Sequence, residues 1–140
     1  MFQTLLLATD GSAAAERATD LAASLAGRYG AQVVVVNAVA APTDTLGEPN
    51  YSRAVSEALG KARALVEGVA RRLHELGVAE VDTDVIEGAP AEVLLALIAS
   101  RAPDMLVIGA RGMSPWKGLV LGSVSLAVTQ RAPCPVLVVK

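Results

Sequence analysis

Four short runs of aliphatic residues recur along the chain: FQTLLLAT (2–9), AQVVVVNAV (31–39), DMLVIGA (104–110) and CPVLVVK (134–140). The first two are ended by polar or small residues, which suits strands buried on both faces; the third is apolar enough to be central, and the last is the closing strand. A fifth run, EVDTDVIEG (80–88), alternates apolar with acidic or hydroxyl residues, the pattern of a strand with one wet face near a sheet edge. The stretches between them have helical spacing. Ala18, Leu21, Ala22, Leu25 and Tyr29 mark the face of a first helix that Gly30 stops. Ala58, Ala62, Leu65, Val69 and Leu73 mark a second, running from about Ser52 to Leu76 and closed by Gly77. Residues 89–102 form a third with Pro90 in its first turn, and Ser123 to Gln130 a short fourth. The order βαβαβαβαβ predicts an α/β fold, a doubly wound parallel sheet with helices on both faces, because each crossover is right-handed. Ligands in such sheets sit beyond the carboxyl ends of the strands, which directs attention to Thr9–Ser12, Ala38–Ala41 and Gly109–Ser125. Residues 40–51 form the long irregular connection.

A chain of 140 residues is most simply one domain, 1–140. Hydrophobic residues make up 53 % of it, yet no apolar run approaches the roughly twenty residues of a membrane span, and the start lacks the flanks of a signal peptide. A soluble cytoplasmic protein is therefore expected, with no membrane partner. The net charge of −2 and the absence of a lysine–arginine block argue against a nucleic-acid partner. Cys134, the lone cysteine, lies between two prolines and reads as a small apolar residue. His74 lacks the second histidine of a zinc helix, and Asp82, Asp84 and Glu87 read as the solvated face of their strand. No serine, histidine and acid arrangement supports a triad, so catalysis is not expected.

The stretch GARGMSPWKGLVLGSVS (109–125) interrupts this aliphatic chain with four glycines and three serines. It is not a Walker loop, since Lys117 precedes Gly118 and Leu119 follows; nor does ATDGSAAAE (8–16) supply the three glycines of a dinucleotide fingerprint. What remains is Gly109-x2-Gly112-x9-Gly122-Ser123. This spacing suits an anion cradle: a turn of positive φ at Gly109 and Gly112 brings bare amides to a ligand, and Gly122-Ser123 opens a helix whose first amides favour negative charge. Ser123 and Ser125 add hydroxyls; Arg111 and Lys117 are the cations within the stretch, and the nine residues between Gly112 and Gly122 are expected to form a flap, with Trp116 packed in or under it. Equally, glycines at strand and helix ends are ordinary punctuation, with Ser123 an N-cap. Spacing alone leaves both readings open.

ATDGS at the end of the first strand, the glycine pattern after the fourth, and the closing PCPVLVVK together resemble the universal stress protein family over essentially the whole chain. The glycine spacing resembles the branch of that family that binds ATP. The resemblance implies a Rossmann-like five-stranded sheet of order 3-2-1-4-5 and an ATP-binding protein of stress response or signalling. It implies that Thr9 and Asp10 face the ribose, the phosphates or a phosphate-bound Mg²⁺, and that Ala38, adjoined by Val39, meets adenine through its backbone. Gly109, Gly112, Gly122 and Ser123 are then expected to hold the phosphates, lined by Arg111, Val124 and Ser125. Family members form dimers, and pairing strand 135–139 with its own copy removes an apolar edge, so a homodimer is expected. Two positions depart from the pattern: Ala8 stands where relatives often have proline, and Asn37 where histidine is frequent, so any role specific to that imidazole is absent. The other readings are a partner-binding dimer without ATP dependence, a preference for AMP or cyclic AMP, and a slow ATP hydrolase using Asp10.

Overall fold

Among the described residues strands and α-helices alternate: β1 (Thr4–Ala8), α1 (Ala13–Tyr29), β2 (Gln32–Val39), α2 (Asn50–Glu75), β3 (Val81–Glu87), α3 (Pro90–Arg101), β4 (Met105–Gly109), α4 (Ser123–Arg131) and β5 (Val136–Val139). The computed structural model describes residues 2–111 and 121–140. The sheet is parallel throughout, in the order β3-β2-β1-β4-β5, as the sequence leads one to expect. The connection from 40 to 49 is irregular apart from one 3-10 turn, Asp44–Leu46.

Period-two alternation divides the aliphatic runs between two cores. Leu5, Leu7, Val33, Val35 and Val107 pack under α1 and α2 with Val66 and Leu73. Leu6, Val34, Val36, Leu106 and Ile108 pack under α3 and α4 with Val93, Leu94, Leu97, Ile98 and Val128. A strand buried on both faces has no polar side to show, which is why these segments read as unbroken apolar runs.

On the first helix Ala18, Ala22 and Leu25 face the core as expected, and Leu21 and Tyr29 do not. The helix's buried face is Ala14, Ala15, Ala18, Thr19, Ala22, Ala23 and Ala26, whereas Leu21 and Tyr29 are 39 % and 45 % exposed. Small side chains let α1 lie close on the sheet, and the buried stripe is displaced from the one that its larger residues mark. Tyr29 instead meets Phe2 edge-on, ring centres 5.1 Å apart. Gly30 ends the helix at φ 66°, its N–H donating to the Ala26 carbonyl.

On β3, Asp82 and Glu87 are exposed as expected of a wet edge, but Arg101 of α3 reaches Asp84 at 2.7 Å and Asp82 at 3.5 Å. His74 is exposed, with Nδ1 2.9 Å from the Val78 carbonyl. Cys134 is half-buried against the α3–α4 core, and burial pushes its thiol up from the ordinary range. Among the described residues no helix is long and apolar enough to cross a membrane.

Candidate functional site

The carboxyl ends of β1 and β2 fit together through a turn that satisfies its own backbone. The Thr9 N–H donates to the Val36 carbonyl at 3.0 Å, extending the ladder one step past Ala8. Asn37 Nδ2 then donates to the Thr9 carbonyl at 2.7 Å. Within the turn the Gly11 N–H donates to Thr9 Oγ1 at 3.3 Å, and the Ser12 N–H to Asp10 Oδ1 at 2.9 Å. Ser12 caps α1, its Oγ accepting from the Ala15 N–H, while Gly11 takes φ 79°, a region that favours glycine.

Where β4 ends, the main chain is also held. Ala110 N–H donates to the Val139 carbonyl and Gly122 N–H to the Ala110 carbonyl, each at 2.6 Å. Ser125, 3 % exposed, donates its hydroxyl to the Gly109 carbonyl at 2.6 Å. α4 starts at Ser123 with Gly122 as N-cap and no side-chain cap. The N–H groups of its first turn have no intrahelical acceptors and carry the positive end of the helix dipole.

These ends enclose a crevice of about 250 Å³. One wall is apolar: Ala8, Val36, Ala38, Pro90, Leu94 and Ile108. The other is polar: Thr9, Asp10, Ser12 and Asn37 from the β1–β2 side, Arg111, Gly122, Ser123 and Ser125 from the β4–α4 side. Ala15, Gly109 and Val124 complete the described lining. The β1/β4 junction is the point at which the strand order reverses, where open α/β sheets place their ligands.

Of the residues singled out in the sequence, the structure brings together Thr9, Asp10, Ala38, Gly109, Arg111, Gly122, Ser123, Val124 and Ser125. Gly112, Trp116 and Lys117 lie outside the described residues. Val39 does not line the crevice: strand alternation puts its side chain on the face of Val33 and Val35, and its carbonyl accepts the Gly88 N–H. The mechanics expected of the glycines also change. Gly109 is absent from the positive-φ residues; a Cβ there would come within 2.9 Å of Ala14 Cβ and 3.0 Å of the α1 backbone, so close helix packing demands the glycine. Gly122 has φ −71°, and its own amide is already paired. Among the described residues, the first-turn amides of α4 and the exposed Ser123 hydroxyl face an anion as donors, beside the Arg111 side chain in the lining; the single Ser125 proton is held by Gly109.

Ladder parity exposes a further pair of groups. In β2 the even residues point their N–H and C=O toward β1, as the Val36 carbonyl shows, and the odd ones toward β3, as Val33 N–H and Val39 C=O show. Ala38 therefore presents a donor and an acceptor toward β1 just beyond the β1–β2 register, which ends at Val36. The sequence marks Ser12 and Ala38 but gives no sign of Asn37, Ala15, Pro90 or Leu94 as wall residues; those depend on register and on how the helices sit. Among the described residues no three His, Cys, Asp or Glu side chains group as a metal site.

The model of the universal stress protein family matches residues 1–140. A universal stress protein of Thermus aquaticus is 39 % identical over 140 residues, all of both chains. Among solved structures, UspA of Lactobacillus plantarum superposes with a TM-score of 0.84 at 23 % identity, covering 99 % of this chain and 98 % of its own. A universal stress protein crystallised in complex with cAMP superposes with a TM-score of 0.77 at 27 % identity, covering 99 % of this chain and 96 % of its own.

Proposed function

The chain belongs to the universal stress protein family, and from that premise we propose that its crevice binds an adenine nucleotide, ATP first, in a stress-response or signalling role. The observation that carries this reading is the division of one crevice into an apolar wall ending at Ala38 and a polar end formed by the uncapped start of α4. Adenine offers an amino donor beside a ring-nitrogen acceptor, complementary to the C=O and N–H of Ala38, and its faces suit Val36, Pro90, Leu94 and Ile108. A phosphate chain then extends toward Ser123 and the amides of α4, where the dipole favours anions. The cAMP complex of a relative supports an adenine ligand, and is also the observation that favours the second reading, a preference for a monophosphate or cyclic nucleotide.

Mg²⁺ fits this site only as a phosphate-bound ion, because Asp10 is the sole carboxylate among the described lining residues. When bound it would offset phosphate charge. Asp10 Oδ1 is held by the Ser12 N–H, which fixes the direction in which the carboxylate faces the crevice. Asp10 is the one carboxylate among the described lining residues, and its Oδ1 is already engaged by the Ser12 N–H, so ATP turnover is expected to be slow and incidental. A homodimer through 135–139 completes the proposal: β5 is an edge strand of half-buried Val136–Val139, a surface that a second copy would cover.

Calorimetric titration with ATP, AMP and cAMP, each with and without Mg²⁺, tests the reading. Saturable ATP binding that tightens with Mg²⁺ is expected. Saturation by cAMP or AMP alone would select the second reading, and no saturation by any of the three would overturn both.

A further inference from the structure

Asn37 sits where the β1–β2 ladder stops, and the way it stops is informative. In a parallel ladder the bonds alternate between strands, so after Thr9 N–H donates to the Val36 carbonyl, the next bond in sequence is Ala38 N–H to the Thr9 carbonyl. That bond is not formed. The Thr9 carbonyl accepts from Asn37 Nδ2 at 2.7 Å instead. Asn37 faces away from the apolar wall, since Val36 and Ala38 pack toward α3 and α4, and its carboxamide turns back over the tip of β1. Thr9 is 7 % exposed, so the carbonyl that this side chain satisfies belongs to a nearly buried residue. Without the carboxamide, Ala38 N–H is the neighbouring main-chain donor whose bond would satisfy that carbonyl and continue the ladder.

We infer that Asn37 is a positioning residue that ends the β1–β2 ladder one bond early and so keeps the Ala38 N–H open toward the crevice as a donor to the ligand's base. Its side chain substitutes for a main-chain donor, and the displaced donor becomes part of the binding site. The inference rests on the adenine-nucleotide reading for the identity of the acceptor, but the early end of the ladder is a property of the protein alone.

Two measurements on the full chain separate these parts. Amide hydrogen exchange followed by NMR without nucleotide is expected to show Ala38 unprotected in the wild type and protected in Asn37→Val, where the ladder closes by one bond. ATP titration is expected to show affinity lowered about fivefold in Asn37→Val, the worth of one neutral hydrogen bond, with thermal unfolding confirming that the variant is folded. A wild-type Ala38 amide already protected without ligand would overturn the positioning role, as would a folded Asn37→Val with Ala38 still unprotected. ATP affinity unchanged in the variant would overturn the link to the base while leaving the nucleotide reading standing. A wild type that binds no ATP would overturn that link and the nucleotide reading together, and the exchange result would still decide how the ladder ends.

Discussion

Gly109 has the sequence signature of a phosphate contact and the surroundings of a packing residue. Its missing side chain is where α1 lies: a methyl group on its Cα would stand 2.9–3.0 Å from atoms of Ala14 and Ala15. Gly109→Ala should therefore destabilise the fold by roughly 1–3 kcal/mol, seen as a lower thermal midpoint in the absence of any nucleotide; an unchanged midpoint would return the glycine to a ligand role. Asp104 illustrates what the sequence conceals. Its carboxylate accepts the Thr4 N–H at 2.9 Å and the Gln3 N–H at 2.7 Å, and these bonds, that of Thr4 first, hold its pKa below the usual carboxylate value. A depressed folded pKa contributes stability above the unfolded value, about 3.9, and loses it as pH falls through the folded one. Urea midpoints of the wild type and Asp104→Asn should thus differ at neutral pH and converge in acid; a gap that stays constant down to about pH 2.5, well below the unfolded value, would show that the carboxylate's charge has no part in it. Nothing in the local pattern around residue 104 marks this role, because its partners lie about a hundred residues away in sequence.

At the scale of elements, strands are legible in the sequence and helix faces less so. Runs such as VVVV at 33–36 have one simple explanation, burial on both sides, and the structure agrees. The face of α1 misleads because leucine and tyrosine draw attention from alanine, although the closest helix–sheet contacts require the smallest residues. Ala22 is fully buried on that face, and Ala22→Leu should destabilise by roughly 1–3 kcal/mol through overpacking; a chemical denaturation midpoint equal to wild type would place the contact elsewhere. The start of α4 separates binding from stability. Ser123→Asp adds negative charge where a helix tolerates or prefers it, so thermal stability should hold, while ATP affinity should fall at least about tenfold by repulsion of the phosphates. Equal affinity would remove the phosphate chain from this helix end.

For the whole molecule, the order of elements predicts a parallel sheet because right-handed crossovers and strand adjacency leave few alternatives. The crevice follows from that sheet. Its walls do not, since Asn37, Pro90 and Leu94 enter through register and the seating of α3, neither of which has a local sequence marker. Both sheet edges are visible in the sequence: β3 with its acidic face guarded by Arg101, and β5 with an aliphatic run. Sedimentation at micromolar concentration should report a dimer, and Leu137→Lys in β5 should shift it toward monomer; a monomeric wild type would contradict pairing through that strand. The claim on which the functional account turns is that one crevice takes the base at Ala38 and the phosphates at the start of α4. Backbone NMR during titration with Mg²⁺·ATP tests it most directly: the amides of Ala38, Ser123 and Val124 should shift together with a single saturation curve. Saturable binding that leaves these amides unmoved while others shift would contradict it.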